Sequence, residues 1–379
     1  MKFLTSLRGE RLLADLKSIQ DPDSPAFRRV VQKLVGMGGP AIPMIIEALP
    51  GADRRETLAY VEVLGALADS RNLSTLLAEM AHPNPRVASA VSWALSSSRN
   101  FPPGQLLAAL KDPDIPSGPL FEVIGAHKSR IPLRDLLSAA YTIESRDKSA
   151  LFRLIGDIAD EAAVPDLLAR LEGKDPAVRI HLMEILSRFD RSDVADALLG
   201  QLRNTPKLVR LTALSTLLKM TVIPDVRAIA PLIADPDMEV ANRAIELLIR
   251  ARHPQTIPLL LPALKDESEY ARRAAVEVLN ELCDAASIKY LLAAIKDSDW
   301  WVRSRAADAL GKIGGPRVVD AVIELVKDRD EEIRRTAIEI LNLTQDDRAV
   351  EYLLGATRDK DWWVSERAVD ALATQIIAG

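Results

Sequence analysis

The sequence has little of several features that mark common classes of protein. It contains one cysteine, Cys283, in 379 residues, so it cannot form an internal disulfide framework, which favours a reducing compartment. No run of about 18 apolar residues occurs, so no membrane-spanning helix is expected. Charged residues interrupt the first positions of the chain, unlike the apolar core of a signal peptide. These absences predict a soluble, cytoplasmic protein.

Aromatic residues and positive charge are also scarce. Phe, Trp and Tyr make up 4% of the chain, whereas small aliphatic residues are abundant, as suits helices that pack closely on helices. The formal net charge is −5. An extended phosphate-binding surface needs an excess of Lys and Arg, so the charge disfavours nucleic acid as a partner.

Motifs for catalysis and metal binding are missing as well. The four histidines, His82, His127, His181 and His253, show no H-x-x-x-H or H-E spacing, and we expect each to be structural or solvated. No P-loop and no protein kinase motif occurs. Cys283 has neither a second cysteine nor a nearby histidine, so we expect a small packed residue. The sequence therefore predicts no metal, no cofactor and no enzyme activity.

What the sequence does contain is a repeat of 31 residues. Five aspartates share this spacing: Asp235, Asp266, Asp297, Asp328 and Asp359. Each follows an apolar helix end, forms part of an acidic turn, and leads into a second apolar helix. A fixed period of this length is typical of solenoids, in which each unit contacts only its neighbours.

The unit from Asp297 to Lys327 shows how 31 residues make a helical hairpin. Asp299 can cap the first of its two helices, because a carboxylate accepts from free backbone N–H groups. Helical spacing predicts a buried stripe there of Val302, Ala306, Ala309, Leu310 and Ile313. Gly314 to Pro316 form a turn, and a second stripe follows with Val319, Val322, Ile323 and Val326. Neither helix can bury its stripe alone, so neighbouring units must stack.

The pattern D-x-x-x-x-V-R-x-x-A-x-x-x-L resembles HEAT repeats, of the short bacterial kind also found in phycobilin lyases. The resemblance implies an all-α protein, a right-handed α-solenoid of about eleven or twelve helical hairpins. In this family an aspartate and an arginine form a ladder between repeats. The matching positions here are Asp266 and Arg272, Asp297 and Arg303, and Asp328 and Arg334. Ala241 and Ser365 stand where the arginine would be.

Regularity along the chain suggests four segments. We expect a capping helix in 1–22, HEAT-like repeats in 23–110, degenerate Pro-rich repeats or a hinge in 111–150, and regular repeats in 151–379. Prolines and glycines in 101–119 interrupt the helical pattern, either as a decayed repeat or as a hinge.

The last helix ends without the polar cap that finished solenoids carry, because Ala371, Leu372, Ile376 and Ile377 are apolar. Either the chain continues in the native protein, or a partner or a second copy covers this end by self-association. Some bacterial Ser/Thr protein kinases resemble this arrangement, with a HEAT array beside a catalytic domain.

Two tryptophan pairs stand out, Trp300–Trp301 and Trp362–Trp363, each within D-x-D-W-W-V and two repeats apart. Each pair precedes the first buried residue of its helix. At least one ring of each pair is therefore expected to be exposed.

Two interpretations of these pairs remain open. The rings cover the ends of adjacent repeats, with Arg305 or Arg367 stacked on an aromatic face, or they form a two-point anchor for a partner. Glu331 and Glu332 occupy the equivalent places in the repeat between the pairs and could add charge selectivity.

We predict a non-catalytic protein-interaction scaffold or regulatory adaptor, with a partner protein lying along the face of the second helices. Fold-level resemblance leaves two alternatives open. One is a phycobilin-lyase-like enzyme that acts on a tetrapyrrole-bearing protein, and the other is a HEAT-like protein that binds nucleic acid.

Overall fold

The computed structural model describes residues 2–203, 205–344 and 346–378, without the side chains of 2–5 and 375–378. The described residues contain no strand, and their α-helices and short 3-10 helices together make up 73% of the structure, which confirms the predicted all-α fold. At the last helix, Ala371 is buried and Leu372 half-buried. The side chains of Ile376 and Ile377 lie outside the described residues.

The chain divides into two compact units, residues 1–185 and 186–379, each of which is a succession of helical hairpins. The helices of the first unit are α1 Lys2–Ser18, α2 Pro25–Val35, α3 Ala41–Ala48, α4 Arg54–Leu67, α5 Leu73–Ala78, α6 Pro85–Ser97, α7 Gln105–Ala109, α8 Ser117–Ala126, α9 Leu133–Ala139, α10 Ser145–Ile158, α11 Val164–Arg170 and α12 Pro176–Leu186. The last of them, α12, ends one residue beyond the boundary between the units.

The second unit holds the regular 31-residue repeats. Its helices are α13 Ser192–Gly200, α14 Lys207–Leu217, α15 Val226–Ile229, α16 Met238–Ala251, α17 Thr256–Leu259, α18 Leu261–Leu264, α19 Glu269–Leu282, α20 Ile288–Ala294, α21 Trp300–Ile313, α22 Gly315–Ile323, α23 Glu331–Thr344, α24 Ala349–Ala356 and α25 Trp362–Ala378. The helix that follows each of the five repeated aspartates is called the second helix of its repeat: α16, α19, α21, α23 and α25.

The second helices pack side by side in chain order, so α23 lies between α21 and α25. The stripe predicted in α21 is buried, except that Ile313 is half-buried, and the stripe predicted for the next helix is buried throughout. Complete burial of a Val or Leu side chain stabilises the fold by about 1.5–3 kcal/mol. Stacking is therefore what holds each hairpin, as the repeat pattern requires.

The segment 101–119 is irregular but well packed. It contains the five-residue helix α7 and the start of α8. Phe101 is buried and meets the ring of His127 edge-on, with centroids 5.3 Å apart. His127 Nε2 lies 2.8 Å from the carbonyl oxygen of Leu95, and burial lowers the pKa of the imidazole. His127 is thus a structural residue that joins α6 to the turn after α8.

Cys283 was expected to be packed, and this expectation is wrong. It occupies the left-handed position that ends α19, with φ of 50°, and its side chain is exposed. A residue one step beyond the last helical turn leaves the buried stripe, so helical spacing does not extend to it.

Candidate interaction surface

The D-x-D turns place both tryptophan pairs at the start of a second helix. The Asp299 carboxylate accepts a hydrogen bond from the Val302 N–H at 3.0 Å, and Asp361 accepts one from Val364 at 3.0 Å. These caps fix the first turn, in which Trp300 and Trp362 come first. The outer rings therefore have the same position in two repeats that are separated by α23.

The outer tryptophans are exposed and the inner ones are half-buried. Trp300 is 66% exposed and Trp362 is 70% exposed, whereas Trp301 and Trp363 are intermediate. The expectation of at least one exposed ring in each pair is confirmed. Exposed tryptophans are enriched at protein interfaces, so the repeated position of these two rings marks a candidate binding site.

Arginine holds the inner ring of the first pair. The Arg305 guanidinium lies 5.5 Å from the centroid of Trp301, within the range of a cation–π contact. The same guanidinium donates two hydrogen bonds of 2.8 Å to Glu277 on the neighbouring α19. Trp301 is therefore positioned by the guanidinium of Arg305, which is itself bonded to the adjacent repeat through Glu277.

The second pair has a similar support with one more cation. Arg367 and Arg335 lie 5.1 and 5.3 Å from the centroid of Trp363. Arg335 comes from α23 and donates to Asp361 at 2.8 Å and to Glu332 at 3.0 Å. The inner ring is thus held by its own helix and by the preceding repeat.

The arginines that reach the caps were not foreseen from the sequence. Arg273 donates to both oxygens of Asp299, at 2.6 and 3.1 Å, just as Arg335 does to Asp361. This hydrogen bonding lowers the pKa of Asp299 to about 2. The available signal was an arginine seven residues after the aspartates of the two alternate repeats, Asp266 and Asp328.

The predicted ladder positions connect neighbouring repeats. Arg272 clamps the Asp297 carboxylate with bonds of 2.8 and 3.1 Å, and Arg334 clamps Asp359 with bonds of 2.9 and 3.0 Å. Each arginine therefore pairs with the carboxylate 25 residues ahead rather than with the aspartate of its own turn.

The other ladder residues differ. Arg303 donates to the carbonyl oxygens of Asp297 and Ser298, at 3.0 and 3.1 Å. The Asp328 carboxylate pairs instead with Lys296 at 3.4 Å. Asp266 is exposed and has no ion pair among the described residues.

The two glutamates between the tryptophan pairs are exposed at the start of α23. Glu332 is engaged by Arg335, and Glu331 has no ion pair in the described part of the chain. The exposed surface of Trp300, Trp301, Glu331, Glu332, Trp362 and Trp363 is called the tryptophan face.

A family model described as HEAT repeats matches residues 133–218, 226–304 and 288–373, which together make up more than half of the chain. This chain belongs to the HEAT-repeat family. No curated protein matches the sequence of this HEAT-repeat chain.

Several solved helical structures are similar to the HEAT-repeat chain. An engineered protein shares 18% identity over 97% of this chain and 98% of its own, with a TM-score of 0.35. The complex of CpcE and CpcF of phycocyanin lyase from Nostoc sp. PCC7120 gives 16% identity, 57% and 96% coverage, and a TM-score of 0.31. A mutant of Kap121p gives 13% identity, 98% and 47% coverage, and a TM-score of 0.48. Likenesses this low carry no argument about function.

Two further observations concern the described residues of this HEAT-repeat protein. They contain no group of three or more His, Cys, Asp and Glu side chains arranged to hold a metal ion. None of their helices has the length and apolar character that crossing a bilayer requires.

Proposed function

We propose that this chain is a non-catalytic protein-interaction scaffold that binds a partner protein across the tryptophan face. The observation that carries the proposal is the exposure of Trp300 and Trp362, at 66% and 70%, on helices that flank α23. Rings that covered the ends of adjacent repeats would be buried against them. Exposed rings instead offer large apolar area to another molecule.

The support beneath the exposed rings favours binding. Trp301 and Trp363 are fixed by arginine forks that are paired with carboxylates of neighbouring helices. A partner would therefore meet a surface that is already ordered, and binding would cost less side-chain entropy. Tryptophan is enriched among residues that dominate protein interfaces, at about 2 kcal/mol or more for each ring.

The test removes only the outer rings. We expect Trp300→Ser with Trp362→Ser to keep the helical content, because neither ring is buried. The matched control is Trp93→Ser, which removes a 50% exposed tryptophan from α6 of the first unit. Partners are captured from a lysate of the native host with each protein, and the Kd of the purified partner is then measured by calorimetry.

Loss of two anchors of about 2 kcal/mol each should weaken the Kd of that partner by roughly 700-fold. The Trp93→Ser control should bind as wild type does. Equal affinity for wild type and the double variant would contradict the proposed site. Failure of the wild-type chain to bind any protein would contradict the scaffold itself.

A further inference from the structure

The arginine of the ladder has two sets of contacts. Nη1 of Arg272 donates to the carbonyl oxygens of Asp266 and Glu267 at 2.9 and 3.0 Å, while its other nitrogens clamp the carboxylate of Asp297. Arg334 makes the equivalent contacts two repeats later, with distances of 3.0 and 3.2 Å to the carbonyl oxygens of its own turn. One guanidinium thus satisfies two carbonyls and one carboxylate at each turn.

The ladder has a gap at Ala241. This alanine stands six residues after Asp235, where the next three repeats carry Arg272, Arg303 and Arg334. Within the described residues, no side chain donates to the carbonyls of Asp235 and Pro236, and no cation pairs with Asp266. In the same part of the chain, Asp266 Oδ1 accepts only the Ser268 N–H, at 2.8 Å. The acceptors of a ladder arginine are therefore present without their donor.

A cavity of about 730 Å³ opens at this gap between α16 and α19. Four of its lining residues belong to the vacant position: Asp235, Pro236, Ala241 and Asp266. Its other walls are largely apolar or aromatic and include Met238, Ile245, Tyr270 and Trp301. The cavity thus combines polar acceptors with walls that suit an aliphatic stem.

The charged side chains that line the cavity are paired, with the exception of one carboxylate. The Asp235 carboxylate is paired with Arg210 at 3.0 Å, and Glu277 is paired with Arg305. Arg273, the cation of the lining, is paired with Asp299 at 2.6 Å and with Glu269 at 3.4 Å. Asp266 is the lining carboxylate that no cation of the described chain neutralises, so one positive charge is complementary to the site.

We infer that the cavity at Ala241 receives an arginine side chain from the partner protein, which completes the ladder in trans. This inference rests on the proposed scaffold function and adds the chemistry that the partner must present. A guanidinium fits because its planar fork can meet the Asp266 carboxylate and the two backbone carbonyls together, as Arg272 does within the chain. Its aliphatic stem would pack against Met238 and Tyr270.

The test uses the peptide Ac-Gly-Arg-Gly-NH2 and its citrulline analogue, which keeps the shape of arginine but carries no charge. The full chain is labelled with 5-fluorotryptophan, and the ¹⁹F signal of Trp301 is followed during titration. We expect a saturable shift with the arginine peptide and binding at least about tenfold weaker with citrulline, because charged hydrogen bonds are lost. A lysine peptide should also bind more weakly.

Variants locate the site. Asp266→Asn keeps an acceptor for Ser268 but removes the charge, and should weaken the arginine peptide about tenfold. Ala241→Arg should abolish peptide binding and raise Tm, because it supplies the missing guanidinium from within the chain. Glu267→Gln is the control, since it neutralises a neighbouring exposed carboxylate that does not line the cavity. It should change neither the affinity for the arginine peptide nor Tm.

Equal binding of the arginine and citrulline peptides, equal binding of the lysine peptide, or no saturable shift would each overturn the inference. The Trp300→Ser, Trp362→Ser variant separates this result from the scaffold test, because neither residue lines the cavity. It should bind the arginine peptide as wild type does. The partner-binding test can therefore fail while the arginine peptide still binds, and the arginine peptide can fail to bind while the partner-binding test succeeds.

Discussion

At the scale of the residue, paired arginine and aspartate side chains determine how each repeat meets the next. Arg272 and Arg334 clamp ladder carboxylates, while Arg273 and Arg335 clamp the carboxylates that cap the tryptophan-bearing helices. These pairs are partly buried, so removing one partner leaves a poorly solvated charge. Of these four arginines, Arg335 also lies over the inner ring Trp363, so the packing of α23 against α25 is coupled to the candidate binding surface.

Arg334 and Arg303 provide a matched test of the ladder. The side chain of Arg334 is 5% exposed and its partner Asp359 is 12% exposed, so we expect Arg334→Ala to lower the free energy of unfolding by about 3 kcal/mol. Among the described residues Arg303 bonds only to carbonyls, and Arg303→Ala should lower the free energy of unfolding by about 1 kcal/mol. Urea unfolding followed by circular dichroism measures both. Equal losses would show that the carboxylate clamp contributes nothing beyond the carbonyl contacts.

At the scale of the element, the turn between α21 and α22 requires glycine. Gly314 has φ of 57° and ψ of −160°, a conformation that residues with a Cβ rarely adopt. The chain reverses there without a longer loop, so the hairpin fits within the repeat. The stripes of α21 and α22 then face the same core.

We expect Gly314→Ala to lower the free energy of unfolding by about 1–3 kcal/mol, because the backbone would be strained. Gly200→Ala is the matched control within the same unit. It ends α13, where a Cβ meets nothing within 4 Å, and should be neutral or stabilising by about 0.4–1 kcal/mol. Urea unfolding and hydrogen exchange of α21 and α22 report both effects. A neutral Gly314→Ala would contradict the role assigned to this turn.

Much of each hairpin is predictable from the sequence because helical periodicity and turn residues are local. Val302 and Leu310 could be assigned to the core, and Asp299 to the helix start, from spacing alone. The pairing of Arg273 with Asp299 could not, because it depends on the distance between helices of different repeats. Spacing placed the tryptophans at the helix start but did not reveal the gap at Ala241 as a cavity.

At the scale of the whole molecule, the chain is a member of the HEAT-repeat family whose second unit presents the candidate surface. The proposed partner meets two exposed rings, and an arginine of the partner meets the gap at Ala241 on the same unit. A net charge of −5 is compatible with a partner segment that carries positive charge.

The most direct test of the scaffold proposal is site-specific photo-crosslinking of the full chain to the captured partner. Benzoylphenylalanine replaces Trp300, Glu331 or Trp362 on the tryptophan face, and Leu354 serves as an exposed control on α24, the first helix of its repeat. We expect the three face positions to crosslink to one partner segment, identified by mass spectrometry, and position 354 to give no adduct. Adducts at 354 without adducts at the face positions would contradict the account.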